Sequence, residues 1–270
     1  MLRSGYQQAA RSGRVRSYID LLAEFSEFRE HFEDAAGLDH PLELVTMADG
    51  PGPVTVICCA GTAPTSGLHE FTRLAGTLSD TTPVRALRQP GYEEGEPLPS
   101  SLEAVLSVQA DTVLEAQGGK PFILAGHSAG ALMAYALATE LADRGHPPMG
   151  VVLIDVYPPG YQQAVHAWLD QLTAALFDRE MVRMNDTRLT AMGAYDRLTS
   201  GQLQLRNSRL PTLLVRADEP MGPWPDDSWR STWPFAHDIA DVPGDHFTMI
   251  QEHADAIARH IVAWLTERNT

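Results

Sequence analysis

Ser128 stands in the pentapeptide Gly126-His127-Ser128-Ala129-Gly130. A serine hydroxyl is a poor nucleophile at neutral pH and gains reactivity only beside a general base, itself oriented by a carboxylate. The apolar run Phe122-Ile123-Leu124-Ala125 precedes the pentapeptide, and Leu132, Met133, Ala136, Leu137 and Leu141 follow it at helical spacing. That pattern predicts a strand, a sharp turn and a helix, with the serine exposed at the apex as a nucleophile elbow. Residues without bulk on either side permit the close approach of strand and helix that such a turn needs.

In this arrangement the order along the chain is serine, acid, histidine. His31, His40 and His69 precede the elbow, and His127 lies inside it, where its ring cannot readily face the Ser128 hydroxyl. His146 follows the end of the elbow helix, His166 falls in a later helical stripe, His237 begins a strand, and His253 and His260 belong to the terminal helix. His246, in Pro243-Gly244-Asp245-His246-Phe247, occupies a loop between the last strand and the last helix, where the base belongs. Two carboxylates are open as its partner: Asp155, ending the strand Val151–Ile154, and Asp218, ending the strand Thr212–Ala217. Asp245 is expected to shape the loop of the base. An oxyanion hole would take one backbone N–H from Ala129 and a second from Thr62 or Ala63, where Gly61 lets the chain approach the substrate. Loss of one such donor costs ~2.7–4 kcal/mol of transition-state stabilisation.

The elements that must position these groups alternate from Val54 onward. Strands are predicted at 54–60, 84–87, 122–126, 151–155, 212–217 and 237–242, and helices at 68–78, 101–117, 129–144 and 250–266. Near-continuous apolar strands alternating with helices predict an α/β-hydrolase fold: a mostly parallel sheet covered on both faces. One domain is expected, with its core in 46–157 and 210–270. Residues 158–209 interrupt the alternation with two helical stripes, Val165-Trp168-Leu169-Leu172-Leu176 and Leu189-Met192-Tyr195-Leu198, predicting a helical lid over the strand ends where ligands bind. The first 45 residues precede the core. Residues 1–16 read as basic and loose, and a stripe of Tyr18, Leu21, Leu22, Phe25, Phe28 and Phe32 predicts an aromatic helix capped by Ser17. That helix must bury its apolar face on its own domain or on a second subunit.

The formal net charge of −15 argues against a nucleic-acid surface, which needs clustered cations. No apolar run reaches the ~18 residues of a membrane span, and the start of the chain lacks an apolar export signal, so a cytoplasmic chain is expected. The only cysteines, Cys58 and Cys59, are neighbours in one strand and point to opposite faces, which disfavours a disulfide between them. Without ligand-spaced partners they make no metal site, and they read as small apolar residues of a reducing compartment.

Several stretches together resemble the terminal thioesterase domains of modular type I polyketide synthases. They are Ser12-Gly13-Arg14-Val15-Arg16-Ser17-Tyr18, Cys58-Cys59-Ala60-Gly61-Thr62-Ala63, Gln89-Pro90-Gly91-Tyr92 and Gly126-His127-Ser128-Ala129-Gly130-Ala131-Leu132, then Asp155-Val156-Tyr157-Pro158-Pro159-Gly160, Glu219-Pro220-Met221-Gly222 and Pro243-Gly244-Asp245-His246-Phe247-Thr248-Met249. The resemblance runs from about residue 6 to residue 265. It implies Asp155 as the acid, N-terminal helices that form a homodimer, and lid helices roofing a channel lined by Tyr157, Trp168, Leu172 and Met192. It also implies an acyl chain delivered on the phosphopantetheine arm of the acyl carrier protein of the upstream module, with no cofactor bound by the domain itself. The chain would be the C-terminal piece of a larger synthase, passing a polyketide onto Ser128 and releasing it as a macrolactone or an acid. The alternatives are a hydrolytic editing thioesterase, usually a discrete monomer and so disfavoured by the aromatic N-terminal helix, and a non-catalytic carrier-protein-binding domain.

Overall fold

The computed structural model describes residues 1–158, Leu169, Thr173, Phe177, 184–224 and 226–268. Nine strands follow one another among them: β1 (His31–Phe32), β2 (Val45–Ala48), β3 (Thr55–Cys59), β4 (Val84–Leu87), β5 (Leu98–Pro99), β6 (Phe122–His127), β7 (Val151–Ile154), β8 (Thr212–Ala217) and β9 (Asp238–Val242). Seven of them form one sheet in the order β2-β4-β3-β6-β7-β8-β9, and β1 pairs with β5 apart from it. All pairings in the large sheet are parallel except β2 with β4.

Every residue of β3, β6 and β7 is buried, the reason these strands read as unbroken apolar runs rather than alternating ones. Cys59 packs on one side of the sheet with α4 (Leu102–Gln117) and α5 (Ala129–Asp143). Cys58 packs on the other with α3 (Thr72–Leu78) and the terminal helix, Ala254–Arg268. Both thiols are free, and burial pushes Cys59 up to about 12 and Cys58 higher still, so neither supplies a thiolate at neutral pH. The edge strand β2 was not expected. It is short and half-exposed, and its register slips between Thr46 and Ala48, so it leaves little periodic signal. The terminal helix, expected as one piece, is broken into Thr248–Gln251 and Ala254–Arg268.

The N-terminal region corrects the expectation of a loose segment. Residues Leu2–Arg11 form α1, which buries Tyr6, Ala9 and Ala10 and leaves its arginines outside. After it α2 (Val15–Ser26) buries Val15, Ile19, Leu22 and Ala23. Ser17 lies inside α2 rather than capping it, and Phe32 is in β1, buried in the main core. The partner of α2 is the helix Asp186–Gln202, here α6, whose start is capped by the Asn185 side chain accepting from the Arg188 N–H at 2.9 Å. Arg16 reinforces the pair through Asp196 at 2.5 Å. On the opposite face of α2, Leu21 and Phe25 are 46% and 42% exposed, and Phe28, just past the end of the helix, is 89% exposed. Among the described residues no helix is long and apolar enough to cross a membrane.

The two helices touch at Gly193, where an added Cβ would sit 2.4 Å from the Ala23 nitrogen. Alanine there raises helix propensity by ~1 kcal/mol relative to glycine, yet a backbone atom cannot yield to the new methyl. Gly193→Ala is expected to lose ~1–3 kcal/mol, read as a lower urea midpoint. An equal or higher midpoint would mean that the helices separate without cost.

Candidate active site

Ser128 joins β6 to α5 with φ 55° and ψ −125°. A non-glycine residue held there stores ~1–3 kcal/mol of strain, and the surrounding packing must hold it in place. A Cβ on Gly126 would lie 2.2 Å from the Gly130 carbonyl oxygen, and one on Gly130 would lie 2.6 Å from that of Cys59. Both glycines therefore mark points where β6, α5 and β3 meet backbone to backbone. The Ser128 N–H donates to the Ile154 carbonyl at 2.9 Å, tying the apex to β7.

Asp155 follows the last residue of β7 and also takes a positive φ, 45°. Its N–H donates to the Val215 carbonyl at 2.8 Å. The carboxylate is 1% exposed and fully engaged: Oδ1 accepts from the Ala217 N–H at 3.2 Å, and Oδ2 lies 2.7 Å from His246 Nδ1. Tyr157 Oη stands 3.1 Å from that same Oδ2 and 3.1 Å from the Trp229 carbonyl. Since a carboxylate accepts, the proton on His246 sits on Nδ1, and Nε2 is left as the basic nitrogen.

The other acid has a different place. Asp218 Oδ1 accepts from the Gly244 N–H at 3.0 Å and braces the loop that carries His246. Asp245 accepts from the N–H groups of Phe247 and Thr248, both at 2.9 Å, and shapes the start of the short helix after it. His237 is turned to the Phe235 carbonyl at 2.6 Å.

His127 was read as unable to serve Ser128, and its ring faces elsewhere. Its Nε2 lies 2.8 Å from the His246 carbonyl, which can only accept, so that nitrogen carries the proton. Burial, and then the neighbouring His246, push the His127 pKa down to about 3. The imidazole is neutral and anchors the backbone of His246. Nothing local in the sequence announces this, because the partner is 119 residues away.

Ser128, Ala129, His246, Gly61, Ala63 and Glu70 line one cavity of about 260 Å³. Ala129 opens α5, so its N–H is among those without an intrahelical acceptor. The Thr62 carbonyl accepts from Tyr92 Oη at 2.5 Å. Glu70, which the sequence reading missed, reaches the Gly61 N–H at 3.5 Å, and burial raises its pKa. Tyr157, expected along a channel wall, has its hydroxyl on the Asp155 carboxylate. Met192 was expected there too, but it is buried against α1 and α2, with its Sδ 3.8 Å from Tyr6 Oη, because α6 turns that face to the N-terminal helices. Trp168 and Leu172 lie outside the described residues.

The depressed pKa of His127 has a sign that stability must follow. Below the unfolded value of about 6.5 the unfolded chain binds a proton that the native ring refuses until about 3, so stability falls as the medium is acidified through that window. His127→Gln removes this contribution. Urea unfolding between about pH 6 and pH 4 should then show a pH slope smaller by ~1.4 kcal/mol per unit; an unchanged slope would mean that the native ring titrates normally.

The profile of the thioesterase-domain family matches residues 55–265. Over its full length the chain is 73% identical to the erythronolide synthase EryA3 of Saccharopolyspora erythraea, of which it spans 8%. Over 96% of its length it is 37% identical to the polyketide synthase GfsE of Streptomyces halstedii, of which it spans 7%. The chain thus covers less than a tenth of these relatives. Among solved structures it resembles the wild-type Vlm2 thioesterase domain, with a TM-score of 0.57 at 23% identity over 83% of this chain and 97% of that one. It also resembles YbtT, a type II thioesterase from the yersiniabactin pathway, with a TM-score of 0.59 at 21% identity over 84% and 99%. These likenesses are to α/β-hydrolase folds and agree with the parallel sheet and its elbow. The family profile takes in well over half of the residues, from β3 to the terminal helix, and the chain belongs to the thioesterase-domain family.

Proposed function

We propose that this chain is the releasing thioesterase of a polyketide synthase. One observation carries the reading: His246, held by the buried Asp155 carboxylate, lines the same cavity as the elbow serine, in a chain 73% identical to part of an erythronolide synthase. His246 Nε2 takes the Ser128 proton as the hydroxyl oxygen attacks the thioester carbonyl. Asp155 holds the imidazole in the required tautomer and stabilises the imidazolium that forms. The N–H of Ala129 and that of Thr62 or Ala63 meet the oxyanion. Collapse of the tetrahedral intermediate expels the thiol of the carrier's phosphopantetheine arm, protonated by His246, and leaves an ester on Ser128. His246 then deprotonates either a hydroxyl of the same acyl chain, giving a macrolactone, or water, giving an acid.

The partner that supplies the chain is an acyl carrier protein of the upstream module. A folded acyl chain held in the cavity brings its own hydroxyl to the ester at high effective concentration. The bare face of α2, with Leu21 and Phe25, and Phe28 just past its end, form the homodimer surface. Exposed phenylalanines are a solubility cost that a second copy removes.

Ser128→Ala should abolish labelling by a fluorophosphonate and turnover of an acyl thioester; labelling that persists would remove Ser128 as the nucleophile. Asp155→Asn should lower kcat by ~10³–10⁴, while Asp218→Asn leaves it within an order of magnitude, and the reverse ranking would make Asp218 the acid. Mass spectrometry of products from hydroxyacyl thioesters separates ring closure from hydrolysis, and an acid from every substrate would favour an editing role. Phe28→Glu should convert a sedimenting dimer into a monomer at micromolar concentration. A wild-type monomer would overturn the dimer.

A further inference from the structure

The loop between β3 and α3 carries both candidates for the second oxyanion donor, Thr62 and Ala63, and its carbonyls are held in alternation by side chains from elsewhere. The Ala60 carbonyl accepts from Gln89 Nε2 at 2.8 Å, and Gln89 is itself fixed by Gln109 at 2.9 Å. The Thr62 carbonyl accepts from Tyr92 Oη at 2.5 Å. The Pro64 carbonyl accepts from Arg188 Nε at 2.7 Å, and the Ser66 carbonyl from Arg188 Nη2. In a trans peptide the N–H of the next residue points opposite to the carbonyl. Holding these four carbonyls therefore turns the N–H groups of Gly61, Ala63, Thr65 and Gly67 away from Gln89, Tyr92 and Arg188. Gly61 and Gly67 both meet Glu70 there, and Ala63 borders the cavity of Ser128.

Arg188 stands out among these donors. It is 7% exposed, and Nη1 adds contacts to the Tyr92 carbonyl at 3.3 Å and to Glu93 at 3.1 Å. It lies in the first turn of α6, three residues after the capping Asn185. A cation there faces the positive end of the helix dipole, an arrangement unfavourable by ~0.3–1 kcal/mol. Helix stability therefore does not explain the residue, whereas capture of two loop carbonyls does. The guanidinium also lies over the Tyr92 ring, 5.2 Å from its centre, so the two donors support one another.

We infer that Arg188 and Tyr92 are positioning residues that preset the oxyanion loop, and that through Arg188 the shape of the hole depends on the seating of the inserted helix α6. This rests on the acyl-transfer reading above. Neither side chain touches the reacting atoms. Tyr92 fixes the peptide plane that carries the Ala63 N–H, and Arg188 fixes the next two alternate planes of the same loop, so that the donor already points at the charge when it develops; preorganised donors need no reorientation during the reaction. An acyl chain that unseats α6 would misplace the hole and react slowly even when bound.

The test uses the full chain and an acyl N-acetylcysteamine thioester. Tyr92→Phe keeps the ring and deletes one hydroxyl, and Arg188→Lys keeps the charge but cannot span two carbonyls. Each is expected to lower kcat by ~10–100-fold, less than the loss of a donor outright. KM should stay within about twofold and the thermal midpoint within a few degrees. Because both act on one loop, the double variant should lose less than the product of the two single effects. Unchanged kcat in Tyr92→Phe overturns the inference, as does a loss that appears only together with a lowered midpoint. Should Arg188→Lys fail to fold, Tyr92→Phe decides alone. A wild-type chain without thioester turnover removes the functional reading and this inference with it, whereas normal wild-type turnover with unaffected variants removes only this inference.

Discussion

The elbow depends on three backbones meeting where side chains would ordinarily keep them apart. Gly126 and Gly130 let β6, α5 and β3 approach so closely that a Cβ on either would intrude on a carbonyl oxygen. That contact holds Ser128 at its positive φ and sets the first turn of α5 against the loop after β3. Both sides of a prospective oxyanion hole descend from the same contact, one as the helix N-terminus and the other as the loop leaving the neighbouring strand. The Ser128 N–H bond to Ile154 then brings the end of β7, and with it Asp155, into fixed register with the apex.

A buried carboxylate is tolerable only when its oxygens are satisfied. Asp155 meets that requirement with donors from β8, from Tyr157 and from His246, so the acid ties the sheet to the loop of the base. On the other side of that loop, the neutral ring of His127 holds the His246 carbonyl. The imidazole is thus fixed both through its ring and through its own backbone. Such double restraint leaves the imidazole little rotational freedom. Asp218 and Asp245 contribute at one remove by shaping the loop on which the base sits.

The helices outside the core divide a single amphipathic problem. One face of α2 is covered by α6 at the close contact of Gly193; the other presents Leu21 and Phe25 to solvent, with Phe28 exposed just past its end. The helix that buries the N-terminal region is the same one that sends Arg188 into the loop beside the cavity. The N-terminal helices, the inserted helix and the loop near Ser128 therefore form one mechanical chain of contacts, linked by packing at one end and by a buried guanidinium at the other.

Local pattern determined much of this. The apolar runs of β3, β6 and β7 and the glycines around Ser128 are short-range signals of period and turn, and they are legible because both faces of a parallel strand are covered. They fixed the elbow, the alternation of strands and helices, and the loop that carries His246. The short edge strand β2, the helix α1 and the true position of Ser17 escaped because half-exposed or short elements leave weak periodicity. The sequence pattern also left Asp155 and Asp218 open, since both end parallel strands at the same edge of the sheet. Only the fold decides that 2.7 Å separates one of them from His246, while the other turns to Gly244. The same holds for Tyr157 on the acid, Met192 under the N-terminal helices, and Arg188 across 124 residues from Pro64. A side chain's reach to a distant backbone is set by how elements pack, and no spacing along the chain encodes it.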